Sequence, residues 1–308
     1  MLVDKRQHRA VVYISLSALS LSLFFLFVKL GEQENISFFF LSFLRFLVPL
    51  LFTLPFFFYN GIFKEILFFK QAKFHGVRTF FVLLQQYAIF FYLTQFSLLD
   101  ATALLNIAPL FILLLEWMFF KHHATRVMIV SLLIAFIGVL LVLQPDLALF
   151  SFGSLIGLLG ALGSAGSQVF YGRNVQNERQ EISLFYLFFL GALVSGVILL
   201  LSGLFFGVDV AQEFNHLFRL DNNSSILFLV YLVLMSFCTL FNQYFRGKAY
   251  SLMPPIFLAP FLYFTVFFAG GLDWAVFQNP PNILAVLGSL LILIGAFLQI
   301  YLRKELKG

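Results

Sequence analysis

Ten runs of about 20 predominantly apolar residues follow one another along the chain, and few architectures can hold that pattern. They lie at 11–30, 37–59, 77–97, 101–120, 126–144, 150–172, 182–206, 225–245, 252–272 and 281–302. At a rise of about 1.5 Å per residue each is long enough for the roughly 30 Å hydrocarbon core of a bilayer. Composition agrees, since only 11% of residues are charged against about 25% in ordinary soluble domains. The expected fold is therefore an all-α polytopic membrane protein, with residues 1–308 forming a single membrane domain.

Charge tests the number of spans. Lys and Arg collect on cytoplasmic loops, so a correct set of spans places them on alternate connections. The basic N-terminus (Lys5, Arg6, Arg9), the second loop (Lys64, Lys70, Lys73, Arg78), the fourth (Lys121, Arg126), the sixth (Arg173, Arg179), the eighth (Arg246, Lys248) and the C-terminus (Arg303, Lys304, Lys307) all fall on one side. The opposite loops carry Glu32, Glu34, Asp100, Asp146, Asp209, Glu213, Asp221 and Asp273, with Lys29 and Arg219 as the basic residues there. Both termini are expected in the cytoplasm, in a multi-pass protein of the cell inner membrane. The net charge of +5 then has a topological origin and implies no nucleic-acid partner. The first run is long and lacks an A-x-A cleavage pattern, so it reads as a retained span.

Motifs exclude several function classes. G-x-x-x-x-G-K-[ST], H-E-x-x-H and G-x-G-x-x-G are all absent, so no cofactor is called for and an ATP-driven pump would need a separate subunit. Cys238 is the lone cysteine and permits no internal disulfide or cysteine metal cluster. The histidines (His8, His75, His122, His123, His216) are read as scattered over loops, and no metal site is expected. A membrane-embedded enzyme acting on lipids remains a remote alternative, because such enzymes gather acids, histidines or metal ligands at the interface.

The two halves echo each other. LLNIAPLFILL (104–114) is followed by FIGVLLVL (136–143), and IFLAPFLYF (256–264) by LIGAFLQI (293–300). Five spans per half is an odd number, so the second half enters the membrane inverted, as in many secondary transporters. The repeats are expected at 11–144 and 150–302. On these residues, and above all on LLDATALLNIAPLFILLLEWMFF (98–120), the chain resembles the EamA-type ten-helix members of the drug/metabolite transporter superfamily. That resemblance implies two inverted five-helix repeats around a central cavity. It also implies a carboxylate about thirteen residues after the proline of the fourth helix. Here that position is His122 in the first half and Asp273 in the second, which points to a structural role for the acid at helix ends.

Candidate site residues follow from the cost of polar groups in hydrocarbon, at least about 2.5–3.5 kcal/mol for a charge at the centre of a span. Arg45 sits well inside FFFLSFLRFLVPLLFTLPFFF (38–58). It is expected either to face a cavity and bind an anionic group or to pair with a carbonyl or an acid. Glu116 is the other buried charge, and its depth argues against a direct bridge to Arg45. It reads as a substrate contact, a proton-coupling acid or a group solvated near Lys121. Gln85, Gln86, Tyr87, Asn106, Gln168, Tyr171, Asn242 and Tyr244 are further substrate-contact candidates, or glue between helices. Pro109 and Pro260 are candidate hinges.

The expectation is a non-enzymatic secondary transporter of a small organic metabolite, embedded in lipid as a monomer or homodimer and working by alternating access. FLRF in the second span and the RTFF-to-aromatic run of the third (78–92) are similar to S-adenosylmethionine transporters of obligate intracellular bacteria. That similarity implies S-adenosylmethionine uptake in antiport with S-adenosylhomocysteine. The alternative is a proton-driven exporter of amino acids or drug-like metabolites.

Overall fold

A computed structural model of the chain describes residues 5–30, 37–59, 61, 65, 71–93, 95–96, 98–144, 154–217 and 223–305, and every regular element among them is helical. Ten helices have the length and hydropathy to cross a bilayer: α1 Lys5–Leu30, α2 Phe38–Tyr59, α3 Ala72–Leu93, α4 Ala101–Phe120, α5 Arg126–Leu143, α6 Ser154–Asn177, α7 Gln180–Phe206, α8 Ile226–Leu252, α9 Pro255–Phe277 and α10 Ile283–Tyr301. The protein is a multi-pass membrane protein. The end of the bundle that holds Lys5 and Tyr301 is called the terminal end below, and the opposite one the far end.

The helices match the apolar runs in number and order, but several boundaries need correction, among them α1, which begins at Lys5, and α9, which runs to Phe277 and makes Asp273 helical. Helix α3 begins at Ala72, α6 continues to Asn177 and α8 to Leu252, so His75, Arg78, Arg173, Arg246 and Lys248 are helical residues and not loop residues. A hydropathy run stops at the first charge. A helix continues while its backbone bonds persist and its side chains find partners, and His75 and Arg78 are both buried. Between α7 and α8, Val210–Leu217 forms a further short helix where a loop was expected. Of the charges used for orientation, Lys64, Lys70, Lys307, Glu32, Glu34, Asp146, Arg219 and Asp221 lie outside the described residues.

Two spans are broken at proline. Helical backbone runs from Leu98 to Leu105, stops at Asn106 and Ile107, and resumes at Ala108 with Pro109 in the first turn, where the missing N–H has no intrahelical partner to lose. In α9 one turn, Pro255–Leu258, passes into the 3-10 segment Ala259–Tyr263 containing Pro260 before regular helix resumes at Phe264. By contrast Pro49 and Pro55 sit within continuous helix in α2.

Packing follows a pattern with an internal relation. Helix α1 packs on α8 and α9, α6 packs on α3 and α4, α5 pairs with α10, and α2 with α7. Exchanging each helix for the one five places away leaves these partnerships unchanged. The α5–α10 seam repeats this residue by residue. A Cβ on Gly138 would meet Gly288 O and Ile292 N, while one on Gly295 would meet Ser131 O and Ala135 N. Swapping Gly138 with Gly295, Ser131 with Gly288 and Ala135 with Ile292 returns the same contacts. Small residues permit this backbone approach, which supplies dispersion where lipid offers no hydrophobic gain.

The apolar core is divided along the bundle, with α4, α5, α6, α9 and α10 joined in a cluster of their own through Ile112, Leu132, Ala161, Tyr263 and Ile292. Another cluster links α1, α2, α3, α6, α7, α8, α9 and α10 through residues such as Ile14, Leu50, Leu83, Tyr171, Phe188, Tyr250, Phe261 and Ala296. At the far end Phe40, Leu44, Leu199, Phe228 and Leu232 join α2, α7 and α8. Tyr92, Ala101 and Leu104 join α3 and α4 in a separate cluster, with Ile156 of α6 against it. Those two clusters share no helix.

Gly138→Ala places its methyl 2.5 Å from a carbonyl oxygen and is expected to cost about 1–3 kcal/mol, read as a lowered unfolding temperature of the detergent-solubilised protein. Gly270→Ala, whose added Cβ meets open space, is expected to be neutral or to stabilise by up to about 1 kcal/mol through helix propensity.

Candidate functional site

Helical spacing aligns Phe38, Ser42 and Arg45 on one face of α2 and Gln86, Tyr87 and Phe90 on one face of α3. The two faces meet. Phe38 and Phe90 stack with ring centroids 3.4 Å apart, and Phe38 also meets the edge of Tyr87 at 5.8 Å. One turn deeper, Ser42 Oγ and Tyr87 Oη face each other, neither in a well-formed hydrogen bond. Gln86 is buried and its Nε2 has no partner. A further turn in, the Arg45 guanidinium lies over the ring of Phe24 on α1, 4.9 Å from its centroid.

Arg45 keeps accessible surface while its guanidinium lies against buried Phe24 of α1. Among the described residues it makes no salt bridge, so the alternative of an Arg paired to an acid gains no support. Glu116 is engaged elsewhere, in line with the depth argument. Unpartnered buried polar atoms of this kind call for water or a ligand.

Toward the terminal end the polar groups are closely bonded to one another. Arg78 is 2% exposed. Its Nη1 donates to Ser183 O (3.0 Å) and Ser183 Oγ (2.7 Å) on α7, and its Nη2 to Gln243 Oε1 (3.0 Å) on α8. The guanidinium stacks on Tyr171 of α6 at 3.5 Å, and the Tyr171 hydroxyl donates to the Gln243 carbonyl at 2.8 Å. Asn174 adds contacts to His75 and Ser183, and His75 pairs with Glu178 at 2.8 Å. One arginine thus ties α3, α6, α7 and α8 together. Sequence reasoning missed it by counting Arg78 as a loop charge. The available signal was its helical register with His75, one turn before it, and with Gln85 and Gln86, two turns beyond.

Residues 8–144 match the EamA-like transporter family. The matched stretch takes in helices α1 to α5. Two curated relatives agree with it. The chain is 25% identical over 282 residues to a riboflavin transporter of Brucella anthropi, covering 90% of this chain and 92% of that one. It is 24% identical over 206 residues to a pseudopaline exporter of Pseudomonas aeruginosa, covering 67% of this chain and 66% of the exporter. A crystal structure with 16% sequence identity superposes with a TM-score of 0.74 over 95% of this chain and 97% of that one, which establishes a shared fold. The EamA match of residues 8–144 and the names of these relatives point to a transporter of metabolites and away from an enzyme.

The remaining candidates divide by position. In the matched stretch, Asn106 sits at the break of α4 and donates to Thr102 O at 2.8 Å. Gln85 presents its backbone to Gly163 of α6. Glu116 is 2% exposed, and an Oε2–Nδ1 bond of 2.6 Å joins it to half-exposed His122. This pair borders a pocket of about 350 Å³ that also involves Lys121, Arg173, Gln176 and Pro255. Counted from the left-handed residues Lys121 and Gln278 that end their helices, Glu116 and Asp273 occupy the same position, five residues earlier. Asp273 bonds Lys29 at 2.6 Å and Asn279 at 3.3 Å. Beyond that stretch, Tyr171 belongs to the Arg78 network, Gln168 accepts from Tyr250 Oη at 2.7 Å, and Asn242 Nδ2 donates to Ser17 O at 2.7 Å. Tyr244 is 38% exposed, with Lys248 over its ring. Pro109 and Pro260 are buried at the breaks of α4 and α9.

Arg78→Ala is expected to destabilise the protein by about 2 kcal/mol or more, since hydrogen bonds to a charged group contribute about 1.5–3 kcal/mol each before desolvation is offset. Adding Gln243→Ala to that variant should cost much less than Gln243→Ala alone, a coupling that a double-mutant cycle of unfolding temperatures measures directly.

Proposed function

We propose that the chain is a secondary transporter of the inner membrane that moves a small, carboxylate-bearing metabolite by alternating access between two inverted repeats, 11–144 and 150–302, with both termini cytoplasmic. The observation that best supports the cargo chemistry is Arg45, an accessible guanidinium against buried Phe24 with no carboxylate partner among the described residues. An anionic group of the cargo supplies that partner. Gln86 and Tyr87 hydrogen-bond the same molecule, and Phe24, Phe38 and Phe90 give it aromatic faces. The exchange relation among helix partners supports the repeats, and the breaks at Pro109 and Pro260 supply hinges. The relatives are named for riboflavin transport and for pseudopaline export, so the family suggests a metabolite and the site must select it.

Within this class the sequence leans to S-adenosylmethionine taken up in exchange for S-adenosylhomocysteine. The carboxylate and adenine of both suit Arg45 and the phenylalanine rings. Their ammonium, and the sulfonium of S-adenosylmethionine, must be met by aromatic faces, because Glu116 is bonded to His122. Uptake of radiolabelled S-adenosylmethionine by bacteria expressing the chain tests the pair. Saturable uptake, suppressed by unlabelled S-adenosylhomocysteine and reduced at least about tenfold by Arg45→Ala at equal membrane level, is the expected result. Uptake no greater than in empty-vector cells excludes S-adenosylmethionine as an imported cargo.

The buried Glu116–His122 pair beside the pocket favours the second reading, a proton-driven exporter of amino acids or drug-like metabolites with Glu116 titrating. Under that reading Glu116→Gln abolishes transport driven by a proton gradient and spares exchange. Full activity in both modes would leave Glu116 a structural partner of His122.

A further inference from the structure

Arg246 lies on α8, outside both the Arg45 face and the bonds that hold Arg78. Its Nε donates to Ser17 Oγ on α1 at 3.3 Å, and its terminal nitrogens have no hydrogen-bond partner among the described residues. Like Arg45 it retains accessible surface. The charged and polar groups that act on it are Tyr171, Tyr250 and the like charge of Arg78, and no acid is among them. Arg78 is saturated by Ser183, Gln243 and Tyr171. Arg246 is not.

Helix α1 relates the two open arginines. Arg45 lies over Phe24 and Arg246 bonds Ser17. Ser17 and Phe24 are seven residues apart, so they share a stripe of α1 with a rise between them of about 10 Å. The same stripe holds buried Ala10 and Ile14, whereas Val12, Leu16 and Phe25 are exposed on other faces. Two guanidiniums without carboxylates therefore bear on one interior face, roughly two turns apart. Among the acids in or beside the described spans, Glu116 has His122 as partner, Asp273 has Lys29, Glu178 has His75 and Glu181 has Arg179 at 3.8 Å. Two uncompensated cations inside a membrane protein are costly unless an anion reaches each of them.

We propose that Arg246 is a second anion-binding residue of the cavity and that the cargo carries two acidic groups, one held by Arg45 and the other by Arg246. This rests on the transporter reading of Arg45 and, if it holds, displaces S-adenosylmethionine and S-adenosylhomocysteine as cargo, because each offers one carboxylate.

The test is a molecular ruler. Binding of the linear dicarboxylates from succinate to sebacate, and of the monocarboxylate of each length, is measured by calorimetry on the purified full chain in nanodiscs. The expected result is a dicarboxylate affinity that peaks at one intermediate length, at least about tenfold above the matching monocarboxylate. Arg246→Gln removes the peak and leaves monocarboxylate binding in place. Arg246→Lys, which keeps the charge, retains a peak and separates loss of the charge from loss of the fold. Equal binding of mono- and dicarboxylates by the wild type, no binding of any of them, or a peak that survives Arg246→Gln overturns the second site. If in those cases Arg45→Gln still abolishes monocarboxylate binding, the Arg45 reading stands without it. A peak lost in Arg246→Gln but unchanged in Arg45→Gln keeps the Arg246 site and removes Arg45 as the first one.

Discussion

A charge inside a bilayer must be met by something, and the arrangement of this bundle can be traced to how each buried guanidinium meets that demand. Arg78 is met by protein. It collects two acceptors on α7, one on α8 and an aromatic face on α6, so four helices converge where one cation is solvated. Arg45 and Arg246 are not met in this way. The contrast separates an arginine saturated by protein from two that make no ion pair among the described residues. It does so with the same residue type at comparable depth.

Helix packing rests on a different physical basis. Lipid tails compete well for apolar side chains, so close approach of small residues does more here than in a soluble core. Gly138, Gly288 and Gly295 allow the backbones of α5 and α10 to touch, and Gly163 does the same for α6 against α3. Such seams are stiff because any added atom meets backbone. Elsewhere, and most visibly at the far end, bulky phenylalanines make contact through rotatable rings, as at Phe38 and Phe90. A bundle with rigid seams and aromatic contacts between them can move as bodies without losing its internal hydrogen bonds.

The number of spans was legible because hydropathy reports length directly, and Arg45 stood out as a candidate because a lone cation in an apolar run is too costly to leave facing lipid. The terminal-end network was not. Lys and Arg near a span end are read as loop markers, and that habit hid Arg78 and Arg246 inside α3 and α8. Helical register would have corrected it. Asn242 and Arg246 are four apart and both reach Ser17, while His75 and Arg78 are three apart. The acids were misaligned for a related reason. Counting from the prolines sets His122 against Asp273, whereas counting from the left-handed helix ends sets Glu116 against Asp273, because Lys121 follows Pro109 by 12 residues and Gln278 follows Pro260 by 18.

The division of the core bears on how such a cavity would open. At the terminal end a single apolar cluster runs through eight helices and surrounds the Arg78 network, so separating helices there would strand Ser183, Gln243 and a full positive charge without partners. At the far end two clusters on different helices are linked through aromatic stacking between α2 and α3, which costs far less to rearrange. Parting α3 from α7 and α8 at the terminal end, the firm side, therefore costs more than parting α2 from α3 at the far end. A cargo with anionic groups alters that balance, since an anion drawn toward Arg246 also approaches Arg78, and could replace the neutral acceptors that hold the firm side shut.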